Sequence, residues 1–128
     1  MLGTTDIVAF VPTKDGGKAR AFYEGVLGLR LVSDDGFALV FDANGIMIRV
    51  VKVQQFTPAQ YTILGWQVEE IEKVVGRLQE QGVYFERFGF LKQDDLGIWT
   101  APNGDKVAWF KDRDGNTLSV SEHKAWAK

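Results

Sequence analysis

Asp112-Arg113-Asp114-Gly115-Asn116-Thr117-Leu118-Ser119-Val120-Ser121-Glu122 is a charged turn that runs into an alternating segment. Asp-Gly and Gly-Asn steps supply positive backbone dihedrals that most residues resist, so the chain is expected to reverse here. Beyond the turn, Leu118 and Val120 fall on one face and Thr117, Ser119 and Ser121 on the other. A period of two predicts a strand with one packed and one polar side. Function is expected on the polar side.

Upstream, the pattern predicts strands over 106–111, 97–101, 83–87 and 61–68, with Pro102-Asn103-Gly104-Asp105 as a turn. Between the strands at 61–68 and 83–87, the stripe Ile71, Val74, Val75 and Leu78 predicts a helix over 69–81, closed by Gly82. Glu69, Glu70, Glu72, Lys73 and Arg77 read as its wet face. The first half offers a similar order. A strand over 6–11 is ended by Pro12, then comes a helix capped by Asp15 with Ala19, Phe22, Tyr23 and Val26 as its stripe and Gly28 as its stop. Strands over 29–33, 37–42 and 46–53 follow, with Asp34-Asp35-Gly36 and Ala43-Asn44-Gly45 as turns. The order reads as two βαβββ modules, about 5–54 and 61–123, joined by a linker at 55–60 within a single 1–128 domain. Residue identity between the halves is poor, so the repeat rests on element order and on the two glycines that follow the helices. Each sheet is expected to have one face covered by its helix and one bare, the bare faces curving around a shared cavity.

Composition narrows the functions. At 128 residues with 45% hydrophobic content, the chain can bury a sizeable core. A net charge of -2 argues against nucleic acid or an anionic membrane as partner and favours a small molecule or another protein. Without cysteine there is no disulfide, thiolate metal site or cysteine nucleophile. Met1 to Val11 lacks a basic region ahead of an apolar core, and no apolar run approaches the roughly 20 residues of a membrane span. A cytoplasmic location is the resulting expectation. Gly16-Gly17-Lys18 lacks the spacing of a phosphate-binding loop. The one histidine, His123, reads as a solvated tail residue, so no Ser-His-Asp arrangement is expected.

Ala21-Phe22-Tyr23-Glu24-Gly25-Val26-Leu27-Gly28-Leu29 resembles the "FY-x-x-x-LG" helix end of the vicinal oxygen chelate superfamily, which includes glyoxalase, bleomycin resistance proteins and extradiol dioxygenases. Asp112 to Asn116 is similar to its "DPDGN" turn, and Leu78 to Val83 to its second helix end. The resemblance implies an α+β fold of two βαβββ modules around a shared cavity, and pairing into a homodimer. Catalytic members hold a divalent metal on four cavity-facing positions. The family pattern places these at Asp6, near Arg49, near Ile63 and at Ser119. One carboxylate, one cation, one hydrocarbon and one hydroxyl are a poor donor set, and Glu122 lies on the opposite parity from Ser119. No metal or other cofactor is therefore expected.

If Ser119 faces the cavity, parity adds Asp6, Val8 and Phe10, then Met47, Arg49 and Val51, then Ile63, Gly65 and Gln67 to its lining. Trp99 and Trp109 offer stacking surfaces, or else pack the sheet. Arg49 either anchors a carboxylate or phosphate on the ligand or forms an ion pair with Asp6. The resulting expectation is a metal-independent small-molecule-binding protein holding an apolar or aromatic ligand, anionic if Arg49 anchors it. Arg49, Gln67, Trp99, Ser119, Phe10 and Asp6 are its candidate binding residues. Two alternatives stay open. One is a glyoxalase-type lyase, isomerase or dioxygenase, with an atypical metal site that uses Asp6 with Glu122 or Asp42, or with metal-free acid-base chemistry at Asp6. The other is a non-catalytic dimerisation or regulatory module.

Overall fold

Strand β8, Thr117–Glu122, is the segment on which the second half of the chain is assembled. The protein is described here by a computed structural model covering residues 1–126. Asp112 builds the turn before β8: its Oδ1 accepts from the Asp114 and Asn116 amides at 2.9 and 3.0 Å, and its Oδ2 from Asn116 Nδ2 at 2.8 Å. Gly115 takes the positive φ of 87° that the turn requires. β8 then lies in the sheet interior, parallel to β5, Leu64–Gln67, and antiparallel to β7, Lys106–Lys111. β6, Trp99–Thr100, completes the order β5-β8-β7-β6.

The first half repeats that order. β1, Val8–Thr13, pairs in parallel with β4, Ile46–Lys52, which is followed outward by β3, Ala38–Ala43, and β2, Arg30–Asp34, giving β1-β4-β3-β2. The chain falls into two compact units, one spanning Met1–Pro58 and the other beginning at Ala59. Both are α+β, each with a four-stranded mixed sheet and one helical segment packed on it, the first unit also opening with a 3-10 turn at Leu2–Thr4. Among the described residues no helix is long and apolar enough to cross a membrane.

The helices cover one face of their own sheets. α1, Gly16–Arg20, starts where Asp15 Oδ1 accepts from the Lys18 amide at 3.1 Å. It continues as a π turn over Ala21–Val26, in which Leu27 N bonds back to Phe22 O at 2.9 Å. The wider turn still buries Phe22 and Tyr23, and Tyr23 meets Phe41 of β3 with ring centroids 5.9 Å apart. α2, Ile71–Glu80, lies against β7 and β8. Its Ile71 and Val75 are fully buried, in a core that includes Phe85, Phe110, Leu118 and Val120. Glu122 Oε1 accepts from the Ile71 amide at 3.2 Å, so a carboxylate from β8 satisfies one of the helix's otherwise unpaired first donors.

Three sequence expectations are corrected. β1 begins at Val8 rather than Asp6 and runs through Pro12, whose Cα partner is Val51. Thr13 directs its carbonyl inward to Val53 N, so the adjacent Pro12 turns its donorless nitrogen to the outer margin, where the ladder needs no N–H. Residues 83–87 form no strand and make a single bridge, Phe85 to Phe110. The segment expected over 97–101 pairs only at Trp99 and Thr100, because side chains hold the intervening loop in place of a ladder.

Candidate functional site

Ser119 is the residue around which the uncovered face of the second sheet is arranged. Its cross-strand partners are Gly65 on β5 and Trp109 on β7. A Cβ on Gly65 would stand 2.8 Å from Ser119 Oγ, so glycine leaves the room that the serine occupies. Ser119 is buried, and Thr117 and Ser121 lie on the same face by strand parity.

An aromatic cluster stands beside it. Trp109 lies 6.2 Å from Trp99 at a 35° tilt and meets Phe88 edge-on at 5.4 Å, and Phe88 in turn lies 5.8 Å from Phe90. Gln93 secures the loop that carries the two phenylalanines. Its Oε1 accepts from Phe88 N at 2.8 Å, and its Nε2 donates to the carbonyls of Glu86 at 2.9 Å and Gly97 at 2.8 Å. Arg87 Nη2 bonds the carbonyls of Asp94 and Asp95, both at 2.8 Å. The result is a groove of about 350 Å3 bordered by Tyr61, Phe88, Phe90, Leu91, Trp109 and Thr117. Tyr61 and Phe90 are 71% and 84% exposed, apolar surface that a ligand can cover.

A second cavity of the same unit, about 430 Å3, is lined by Gln67, Asp105, His123, Ala125 and Trp126. His123 bridges two side chains, its Nδ1 2.9 Å from Asp105 Oδ2 and its Nε2 2.8 Å from Ser121 Oγ. His123 lies just past β8 and is exposed, as read from the sequence, but its two contacts bring together a Ser-His-Asp arrangement that the sequence reading excluded.

On the uncovered face of the first sheet, Phe10 is the Cα partner of Arg49 and is 62% exposed. Arg49 is paired, though not with Asp6: its Nη2 donates to Asp35 Oδ2 at 2.7 Å. Asp35 also accepts from the amides of Ala38 and Phe37 at 2.8 and 3.0 Å. The Arg49 hydrogen bond, helped by those amides, brings the Asp35 carboxyl from its ordinary 3.8 down to about 2. A folded pKa below the unfolded one adds stability that is fully present above about pH 4 and lost as the pH falls through about 2. In an NMR titration, the Asp35 carboxyl carbon is expected to turn near pH 2, and Arg49→Ala to move that midpoint up towards the ordinary range. A wild-type midpoint near 3.8 would dismiss the pair.

Of the sequence candidates, Phe10 and Arg49 are neighbours in the first unit, while Ser119 stands next to Trp109, and Trp109 next to Trp99, in the second. Gln67 is the cross-strand partner of Ser121. Asp6 is exposed and lies outside β1. Sequence reasoning missed Phe88, Phe90 and Tyr61 as groove walls, and the Asp105-His123-Ser121 bridge.

The four positions at which a superfamily metal would be held do not fit one. Asp6 is a lone carboxylate, Arg49 is a cation already engaged by Asp35, Ile63 is a hydrocarbon, and Ser119 is a neutral hydroxyl under Gly65. Among the described residues, no three His, Asp or Glu side chains are grouped to hold an ion.

A family model described as Glyoxalase/Bleomycin resistance protein/Dioxygenase superfamily matches residues 5–120. Among solved structures, the chain is similar to a member of that superfamily from Sphaerobacter thermophilus DSM 20745, with a TM-score of 0.75 and 22% identity over 96% of this chain and 100% of that one. It is also similar to lactoylglutathione lyase from Agrobacterium tumefaciens, with a TM-score of 0.74 and 19% identity over 97% of each chain. Oxidase ChaP-H2 is similar at a TM-score of 0.71 and 20% identity over 94% of each. None of the curated proteins matches. A lyase and an oxidase on one fold illustrate that the architecture alone does not select the chemistry.

Proposed function

We infer the function from one premise: this chain belongs to the Glyoxalase/Bleomycin resistance protein/Dioxygenase superfamily. On that premise it is a metal-independent small-molecule-binding protein that takes an apolar or aromatic ligand. The observation that carries this reading is the groove at Trp109, where an indole backed by Phe88 and Trp99 forms one wall of a space of about 350 Å3. That volume lies at the small end of ligand pockets and suits a molecule of one or two fused rings. Thr62 supplies a hydroxyl at its border, and Thr117, whose Oγ1 donates to Ala59 O at 3.1 Å, keeps an acceptor lone pair there, enough to orient a ligand carrying one or two polar groups. Independence from metal is supported by the donor chemistry of Asp6, Arg49, Ile63 and Ser119.

The anionic form of the ligand rests on Arg49. Because Asp35 already neutralises that guanidinium through Nη2, an incoming carboxylate or phosphate meets a compensated charge, and the neutral aromatic ligand is the better match. Trp99 beside Trp109 extends the apolar surface of this reading within the second unit. Homodimer formation and a cytoplasmic location belong to the same proposal.

The test is a screen of one- and two-ring aromatics followed by tryptophan fluorescence, repeated on Trp109→Ala. Binding is expected in the presence of a chelator, and the variant's Kd is expected to rise roughly tenfold to thirtyfold, as for loss of a buried aromatic anchor. Equal affinity in the variant dismisses the groove. Binding that requires added nickel, zinc, manganese or iron(II) dismisses metal independence.

A further inference from the structure

We propose that Ser121, His123 and Asp105 form a nucleophile relay that hydrolyses small esters at the cavity lined by Gln67 and Trp126. The first support is the order of contacts: carboxylate to Nδ1 at 2.9 Å, and Nε2 to hydroxyl at 2.8 Å. An ionised carboxylate only accepts, so neutral His123 carries its proton on Nδ1 and presents a bare Nε2. The Ser121 hydroxyl must then be the donor to Nε2, which is the arrangement of a serine with its general base.

Asp105 is held in its ionised form. The His123 hydrogen bond, with smaller contributions from the Lys124 amide and Asn103 Nδ2, lowers its carboxyl below the ordinary range. A turn fixes it in place: Asp105 N donates to Asn103 Oδ1 at 3.0 Å, and Gly104 sits at a φ of 92°. Ser121 is fixed by β8 between Gln67 and Val107, so both ends of the relay rest on backbone pairing.

Asp105 and His123 line the cavity, Ser121 reaches it through His123 Nε2, and the other lining residues supply the remaining parts. Gln67, across the strand from Ser121, carries a side-chain amide able to donate to a developing oxyanion. Ala125 and the 67% exposed Trp126 give an apolar wall suited to an aryl or short acyl group. In the reaction, Ser121 Oγ bonds to the ester carbonyl carbon as its proton passes to His123 Nε2. The bond from that carbon to the leaving oxygen breaks, and the departing alcohol takes the proton from Nε2. Water, deprotonated by the same nitrogen, then attacks the acyl-serine, releasing the acid and returning the proton to Oγ. The sum is ester plus water to acid plus alcohol, with no change of oxidation state.

The experiment treats the full chain with diisopropyl fluorophosphate and locates the adduct by peptide mass spectrometry, with turnover of p-nitrophenyl acetate measured in parallel. One adduct on Ser121 is expected. The labelling rate should fall about 100-fold or more in His123→Gln and at least about tenfold in Asp105→Asn, as for loss of a general base and of its orienting group. Ser121→Ala should lose both label and ester turnover while keeping the wild-type circular dichroism spectrum. An unmodified Ser121 in the wild-type protein overturns the proposal. So does equal labelling of His123→Gln, or ester turnover that survives in Ser121→Ala, since the imidazole would then be acting alone.

Discussion

Asp112→Ala is expected to lower stability by about 3–5 kcal/mol, a large part of the margin of a domain this size. The Asp112 carboxylate receives three donors, the Asp114 and Asn116 amides and Asn116 Nδ2, at 2.8 to 3.0 Å. Asn116 is 1% exposed and Asp112 is 7% exposed, so water cannot replace the lost acceptor at Asn116 without opening the turn. Asp114 is partly exposed, and its amide can turn to solvent, which keeps the loss below the sum of three buried donors. The turn also sets the register of β8, so strand pairing weakens with it. Thermal unfolding followed by circular dichroism should show a fall of about 10–20 °C, and a change under about 2 °C would refute this role. Asp112→Asn is expected to fall between the two, since it keeps one acceptor but sets an amide against that of Asn116.

Phe110→Ala should cost a similar amount, about 3–5 kcal/mol. The ring is 1% exposed and meets Phe85 at 5.5 Å and 61°, and the two residues also form the backbone bridge that stands where a strand over 83–87 was expected. Deleting it opens a ring-sized hole on the helix-covered face and removes the partner that fixes Phe85. Leucine at the same position keeps most of the volume and is expected to cost less than about 1.5 kcal/mol. Urea unfolding of the two variants separates these cases. Equal midpoints for Phe110→Ala and Phe110→Leu would show that the site collapses around the loss.

Both residues lie in stretches whose structure was legible from sequence. The Asp112 turn, β7 and β8 lie where turn chemistry and alternation predict them, because local preference and burial agree there. The same parity assigns Ser119 to the uncovered face of the second sheet, but it leaves Trp109 between stacking surface and sheet packing, and the β7–β8 register is what sets the indole beside Ser119. The segment at 83–87 misled because Val83 and Phe85 are buried while Tyr84 is exposed, an alternation that an extended loop gives as readily as a strand. Instead of a ladder, Val83 N donates to Leu78 O, Glu86 N donates to Trp109 O, and Glu86 O accepts from Gln93 Nε2. The first apolar stripe predicted an α-helix, but apolar spacing does not distinguish a four-residue from a five-residue return, and the π turn at Ala21–Val26 went unread.

The candidate sites were legible in part. Arg49 and Phe10 are neighbours, but Asp35 rather than Asp6 takes the guanidinium, because the turn before β3, in which the Phe37 and Ala38 amides hold that carboxylate, sets it 2.7 Å from Arg49. His123 lies 18 residues from Asp105 in sequence and meets it through the pairing of Lys106 with Glu122, a register set by the whole hairpin. The clue available was the Ser121-x-His123 spacing, which puts both side chains on one face of an extended strand.

Pro12 also bears on self-association. Any strand approaching the outer margin of β1, from this chain or from another, meets a place where no N–H can be offered. β2 breaks step at its own margin through a register shift between Leu31 and Ser33, and β6 offers only two residues. These three margins are poor templates for a growing ladder. Extension of the ladders by further strands is therefore disfavoured at these three margins.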